Sequence, residues 1–215
     1  MRNSIIKKSF RYQYYNAAFI LIGINIALFL LNTVAPQTRG FLALNPVLVL
    51  RRGFIWQVFT YMFAHANISH ILFNMLGLFF FGVQLERRVG SSEFLLYYLL
   101  TGTLAGVFSL LVYWYTGNYQ VWLLGASGAV FAVLLAFATY FPDARIFVFG
   151  ILPIKAPLLV TIYAGIELFS QFTATASGVA HLTHLAGFGF GFLYFILRLN
   201  INPVKVFFGK DRYYH

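Results

Sequence analysis

The chain has 215 residues, of which 60% are hydrophobic and only 9% charged, with a net charge of +10. A soluble domain carries about a quarter charged residues, so this composition points to an integral membrane protein. It has no cysteine, which excludes a disulfide framework, a thiolate metal site and a thiol nucleophile. The positive charges flank apolar segments and form no basic stripe between aromatics. They therefore indicate membrane topology, and nucleic acid is not an expected partner.

Six spans are expected in an all-α bundle over residues 16–199, with basic tails at 1–15 and 200–215. The first span covers Asn16 to Val34 and ends at Pro36. A mixed segment, Gln37 to Asn67, is too interrupted to span and apolar enough to dip into the membrane. The second span runs from Ile68 to Val83, followed by a charged turn, Glu86 to Glu93. The third covers Phe94 to Trp114, and a polar loop, Tyr115 to Gln120, leads to the fourth, Leu123 to Phe141. Pro142 to Arg145 is a turn. Pro153, Lys155 and Pro157 break the next apolar stretch, so the fifth span is Leu158 to Phe172. The loop Thr173 to Gly178 precedes the sixth, Val179 to Leu199.

With the N-terminus inside, Arg2, Lys7, Lys8, Arg11, Arg87, Arg88, Arg145, Lys155, Arg198, Lys205, Lys210 and Arg212 fall on the inner side. Arg39, Arg51 and Arg52 fall on the outer side. The positive-inside rule then expects both termini in the cytoplasm. No small-residue cleavage site precedes the first span, so the N-terminus reads as a tail and not a signal peptide.

Under this topology spans two, four and six run inward from the outer face, each with polar residues in its first turns. His70 and Asn74 lie one turn apart on one face. Ser127 opens span four within Gly125-Ala126-Ser127-Gly128, and His184 lies near the start of span six. Similar depth is what contact among them requires.

A serine hydroxyl needs a base, and His184 is the candidate. The oxyanion of an acyl transfer needs donors: the Ser127 N–H at a helix start, the Asn74 amide and the His70 imidazole. Gly125 and Gly128 let backbone and substrate approach closely. With no acid among these three openings, a Ser-His dyad is expected and no full triad. Gly187 and Gly191 in span six form a small-xxx-small pair for packing on span four, where Ala129, Ala132 and Ala136 offer the matching face.

His181 is a rival base one turn earlier, but the glycine spacing favours His184. His65 reads as a structural loop residue. His65, His70, His181 and His184 could suggest a metal cluster, but neither cysteine nor carboxylate accompanies them, and no metal is expected. Glu167, in or near span five, could serve a proton relay but reads better as an interfacial residue or one paired with a neighbour.

In this combination the chain resembles the rhomboid family of intramembrane serine proteases. The serine motif Gly-x-Ser-Gly is matched at 125–128. The histidine motif is matched by His184, Gly187 and Gly191, and the His-x-x-x-Asn motif by His70 and Asn74. Trp56 to His65 and Glu86 to Ser91 also resemble family segments. Two positions depart: Gln57 follows Trp56 where the family has arginine, and Phe131 stands where some members stack a tyrosine on the histidine.

The resemblance implies an endopeptidase that cuts transmembrane or juxtamembrane segments of membrane proteins, with lipid around it and no cofactor. It also suggests the fifth span and loop 115–120 as substrate gate and rim. A six-span chain without a transit peptide is expected in a prokaryotic inner membrane, its site near the outer face. The alternative is a catalytically silent relative that escorts membrane proteins, against which both Ser127 and His184 speak. A small transporter would show inverted repeats or charged midplane residues, and neither is evident.

Overall fold

A computed structural model of the chain describes residues 10–148, 150–173 and 178–209. Arg2, Lys7, Lys8, Lys210 and Arg212 of the basic tails, and the middle of loop 173–178, lie outside them. The protein is a multi-pass helical membrane bundle. Among the described residues, four helical segments are long and apolar enough to cross a membrane: Ala17–Val34, Ile68–Val89, Ser91–Tyr115 and His181–Leu199. Two shorter apolar helices, α8 (Ser127–Tyr140) and α9 (Ala156–Thr173), complete the six.

The first loop is helical in pieces: α2 (Gln37–Leu42), α3 (Pro46–Arg52) and α4 (Gln57–Thr60), which tightens into a 3₁₀ turn, Tyr61–Phe63. Asn45 caps α3 by accepting from the Val47 and Leu48 N–H groups, with Pro46 at the first helical position. Tyr61 and Met62 are fully buried, so the loop goes further than dipping into the bilayer and inserts into the bundle.

The second span starts at α5 (Ile68–Gly77), capped by Asn67. It widens into a π-type turn at Leu78–Gly82 and continues as α6 (Val83–Val89). The charged residues expected in a turn are thus still helical. The helix stops at Gly90, whose φ of 86° suits glycine. Glu86 is buried, and its carboxylate accepts from the N–H groups of Ala17 and Ala18 at 2.6 and 2.9 Å, the free donors at the start of α1 (Ala17–Val34). Helix α7 (Ser91–Tyr115) follows. Glu93 near its start holds Arg198 at the far end of the last span, with N···O distances of 2.6 and 2.8 Å.

Helix α8 begins only at Ser127, four residues later than the apolar pattern suggested. Residues 123–126 are kept out of the helix: Leu44 and Leu123 exchange N–H···O bonds of 2.8 and 2.9 Å, and the Gly125 N–H donates to the Tyr61 carbonyl. At 1.5 Å per residue, 14 helical residues cover about 21 Å of a hydrocarbon core of about 30 Å. Such a helix cannot reach both surfaces.

A small antiparallel hairpin, β1 (Arg145–Val148) and β2 (Leu152–Lys155), fills the stretch that proline and lysine broke up, and is the one departure from helix among the described elements. The last span is α10 (Gly178–Tyr194), extended by a π-type turn to Leu199, and a short α11 (Pro203–Phe207) follows.

Helix α10 packs against α7, α8 and α9. A Cβ placed on Gly187 would lie 2.0 Å from the Gly128 carbonyl oxygen, and one on Gly191 would lie 3.2 Å from the Ala132 Cβ. Gly128 and Ala132 therefore receive the two glycines. Ala129, expected on this face, turns instead toward Gly102 of α7. A Ser109–Thr183 hydroxyl pair at 2.8 Å and the Tyr97 hydroxyl on the Ala132 carbonyl add polar ties between helices.

Candidate active site

Three helix starts converge, each held by its own local chemistry. Ser127 is the first residue of α8, after Ala126, whose side chain offers no cap. The first N–H groups of α8 thus have no intrahelical acceptor. Gly125, at φ 116°, makes the turn that leads into the helix, and a Cβ there would lie 2.5 Å from His70 Nε2. The glycine therefore serves the approach of His70, while Gly128 serves the approach of α10. Both glycines thus have packing roles beside the expected opening of the backbone to substrate.

His184 projects from α10 three residues before Gly187. Its Nε2 lies 2.7 Å from Ser127 Oγ. Phe131, one turn into α8, stacks on the imidazole with centroids 4.3 Å apart and planes within 9°. Tyr163 of α9 packs edge-on against Phe131, with centroids 6.2 Å apart. The two rings fix the orientation of His184 while Ser127 occupies one of its nitrogens.

The other nitrogen faces an acid. Glu167 of α9 is 8% exposed, and its Oε1 lies 3.1 Å from His184 Nδ1. The N–H direction misses this oxygen, so the contact is an ion-pair approach and not an aligned hydrogen bond. Oε2 of the same carboxylate lies 2.5 Å from His181 Nδ1. A site without an acid is thus corrected by the structure. Glu167 is indeed paired with neighbours, and these are both histidines of α10. The sequence placed the acid on span five and the histidines on span six, and no local spacing relates the two.

Together, Glu167, His181 and His184 bring one carboxylate oxygen and two imidazole nitrogens within 4.8 Å of one another. The expectation that no carboxylate accompanies the histidines is therefore also corrected. The donor types suit zinc, which takes ligands at roughly 2.0–2.2 Å. The 2.5 Å separation between His181 and Glu167 is instead that of a direct hydrogen bond, and leaves no space for an ion between them.

His70 sits against Gly125, close enough to His184 for the two rings to interact electrostatically. Asn67 caps the helix at the His70 N–H, 2.8 Å away. Asn74 is buried, and one of its amide hydrogens is committed to the His70 carbonyl at 2.8 Å. His65 is fully buried in the loop before α5, 5.2 Å centroid to centroid from His70 and edge-on to it. Burial, assisted by the nearby His70, pushes the His65 imidazole pKa down to about 3, so this ring is neutral.

The first loop is the scaffold that sequence reasoning undervalued. Gln57, where the family has arginine, is fully buried. Its amide donates to the Gly40 carbonyl at 3.0 Å, and its Oε1 accepts from the Asn45 N–H at 3.1 Å. Asn45 donates in turn to the Val121 carbonyl at 3.0 Å, on the strand that leads to Ser127. Gln57 thus performs loop anchoring through a neutral amide. Arg51 lies over the Trp114 ring at 5.6 Å, joining the same loop to the end of α7.

A multi-pass helical membrane protein with a serine and a histidine at converging helix starts is a narrow class. The Rhomboid domain family matches residues 52–201 of the chain. Rhomboid protein 1, mitochondrial, of Saccharomyces cerevisiae is 30% identical over 187 residues, covering 83% of this chain and 52% of the yeast protein. The protein named putative rhomboid protease YdcA of Bacillus subtilis is 30% identical over 140 residues, 64% of each chain. Rhomboid protease GlpG of Salmonella newport is 31% identical over 80 residues, 37% of this chain and 27% of GlpG. The chain spans about half the length of the yeast relative. It belongs to the rhomboid family, whose members include proteins named as proteases.

Proposed function

We propose that this protein is an intramembrane serine endopeptidase acting on transmembrane or juxtamembrane segments of membrane proteins. The observation that carries this reading is the 2.7 Å approach of His184 Nε2 to Ser127 Oγ at the start of a helix too short to fill the bilayer.

In this mechanism the Ser127 Oγ attacks the scissile carbonyl carbon while its proton passes to His184 Nε2. The tetrahedral intermediate collapses, the C–N bond breaks, and the imidazolium returns the proton to the leaving amine. Water then enters, gives a proton to His184 and hydrolyses the acyl-enzyme. The Ser127 N–H, uncapped and at the positive end of the α8 dipole, is one oxyanion donor. His70 and the second Asn74 amide hydrogen are the others. A helical substrate hides its carbonyls in hydrogen bonds, so the cut segment must unwind before attack. The excess of Lys and Arg on the inner side supports a topology with both termini in the cytoplasm and the site toward the outer face.

The test is cleavage of a transmembrane reporter by purified protein in detergent or liposomes. Ser127→Ala and His184→Ala should abolish cleavage, and a fluorophosphonate should label Ser127 in the wild type only. Wild-type cleavage by both variants would overturn the assignment. A stable complex with the uncut reporter and no turnover by the wild type would favour the silent escort reading.

A further inference from the structure

We infer that Glu167 is a positioning residue for His184, the acid of a Ser127-His184-Glu167 triad supplied by α9. This rests on the protease reading above and goes beyond it. Three observations support it. A carboxylate buried in an apolar helix is costly unless it is paired, and this one is paired with imidazoles alone. Its Oε1 lies 3.1 Å from the His184 nitrogen opposite the one that meets Ser127. Tyr163, one turn earlier on the same face of α9, buttresses Phe131, which stacks on the same histidine. One face of α9 therefore supports the imidazole at both its edge and its stacked ring.

The chemistry follows from tautomer choice. For His184 Nε2 to accept the Ser127 proton it must be bare, so the ring hydrogen must sit on Nδ1. An ionised carboxylate beside Nδ1 favours that tautomer and then stabilises the imidazolium formed on attack. Glu167 gains and loses no proton in the cycle. The proton moves from Ser127 Oγ to Nε2 and on to the leaving amine, and the Nδ1 hydrogen stays in place. The misaligned approach in the resting structure is of the kind that tightens when substrate is bound. His181 holds the other oxygen of the carboxylate and so fixes where it points.

Much of α9 is apolar and exposed, including Ile162, Ile166, Leu168 and Phe169. The acid thus arrives on a helix that faces lipid over much of its surface, and the position of that helix sets whether His184 is supported.

The test compares Glu167→Gln and Glu167→Asp with the wild type, alongside Ser127→Ala and His184→Ala. Glutamine keeps the size and removes the charge. It should lower kcat roughly tenfold or more, with KM changed less than threefold, and should slow fluorophosphonate labelling of Ser127 by the same factor. Asp should recover part of the rate, and the thermal midpoint of Glu167→Gln should stay close to that of the wild type. Wild-type kcat and labelling in Glu167→Gln, with Ser127→Ala and His184→Ala inactive, would overturn this inference and leave the protease reading standing. A lowered thermal midpoint with kcat falling only as the folded fraction falls would also overturn it, assigning Glu167 a structural lock. Full activity of Ser127→Ala would instead remove the reading on which it rests.

Discussion

A single methyl group added at Gly187 is expected to separate the serine from its base without touching either. The Cβ of Gly187→Ala would stand 2.0 Å from the Gly128 carbonyl oxygen and 2.8 Å from its carbon. Both are backbone atoms and cannot rotate away. An ordinary contact begins near 3.4 Å, so α10 must back off α8 by about 1.4 Å. His184 is one helical turn from Gly187 and moves with it. The 2.7 Å Ser127–His184 contact then opens to roughly 4 Å, beyond hydrogen-bond range. Overpacking costs about 1–3 kcal/mol of stability, and a misplacement of this size costs on the order of 100-fold in rate. Gly189→Ala is the control, since nothing lies within 4 Å of its added Cβ on the same helix. Reporter cleavage and fluorophosphonate labelling, each normalised to folded protein by a thermal melt in detergent, give the measurement. Wild-type cleavage by Gly187→Ala would refute the claim that this backbone contact sets the catalytic distance. An equal loss in Gly189→Ala would refute the claim that the effect is local.

Phe131→Ala removes the ring stacked on His184 and should lower kcat about 3- to 10-fold, the worth of an aromatic contact of roughly 0.5–1.5 kcal/mol; Phe131→Tyr should retain most of the rate in the reporter assay. Gln57→Ala leaves the Gly40 carbonyl and Asn45 N–H buried without their partner and should destabilise the protein by about 2–4 kcal/mol, read as a lower thermal midpoint, whereas an unchanged midpoint would deny the loop its anchoring role. The folded-state pKa of His65 lies below its unfolded value, so its contribution to stability is complete above about pH 6.5 and is lost as pH falls toward 3. Unfolding titrations should show a decline approaching 1.4 kcal/mol per pH unit across that window, and His65→Leu should flatten it.

The parts of the site legible in the sequence were those encoded within one segment. His184, Gly187 and Gly191 lie within two helical turns, so their shared face follows from helix geometry alone. The same holds for His70 with Asn74, and for Ser127 between its two glycines. Other features depended on contacts across the chain. The start of α8 is one: Leu123 is apolar enough to join the helix, and its pairing with Leu44, with the Gly125 bond to Tyr61, keeps residues 123–126 out of it. Gln57 is another, because a buried amide is recognisable as an anchor only once the carbonyl and N–H it meets have been placed. Glu86 looked like a turn residue because charge usually marks a solvated end, whereas here it satisfies the start of a different helix.

Glu167 carries the same lesson into the chemistry. A search for an acid that considers only the three helix starts bearing Ser127, His70 and His184 excludes the fourth helix that packs beside them. An acid in a lipid-facing helix needs a partner, and the bundle offers few. Among the described residues Lys155 pairs with Asp143 and Arg198 with Glu93, both at the opposite end of the helices from Ser127. At the Ser127 end the cations are Arg39, Arg51 and Arg52 of the first loop, and the groups that Glu167 meets are imidazoles. The Glu167 carboxylate pairs with His184 and His181 and so does not bear the cost of burial alone. The cost of burying the charge, and not any motif, draws the acid to the proposed base. The surroundings of the Ser127–His184 pair therefore depend on where α9 sits as well as on how α8 and α10 pack.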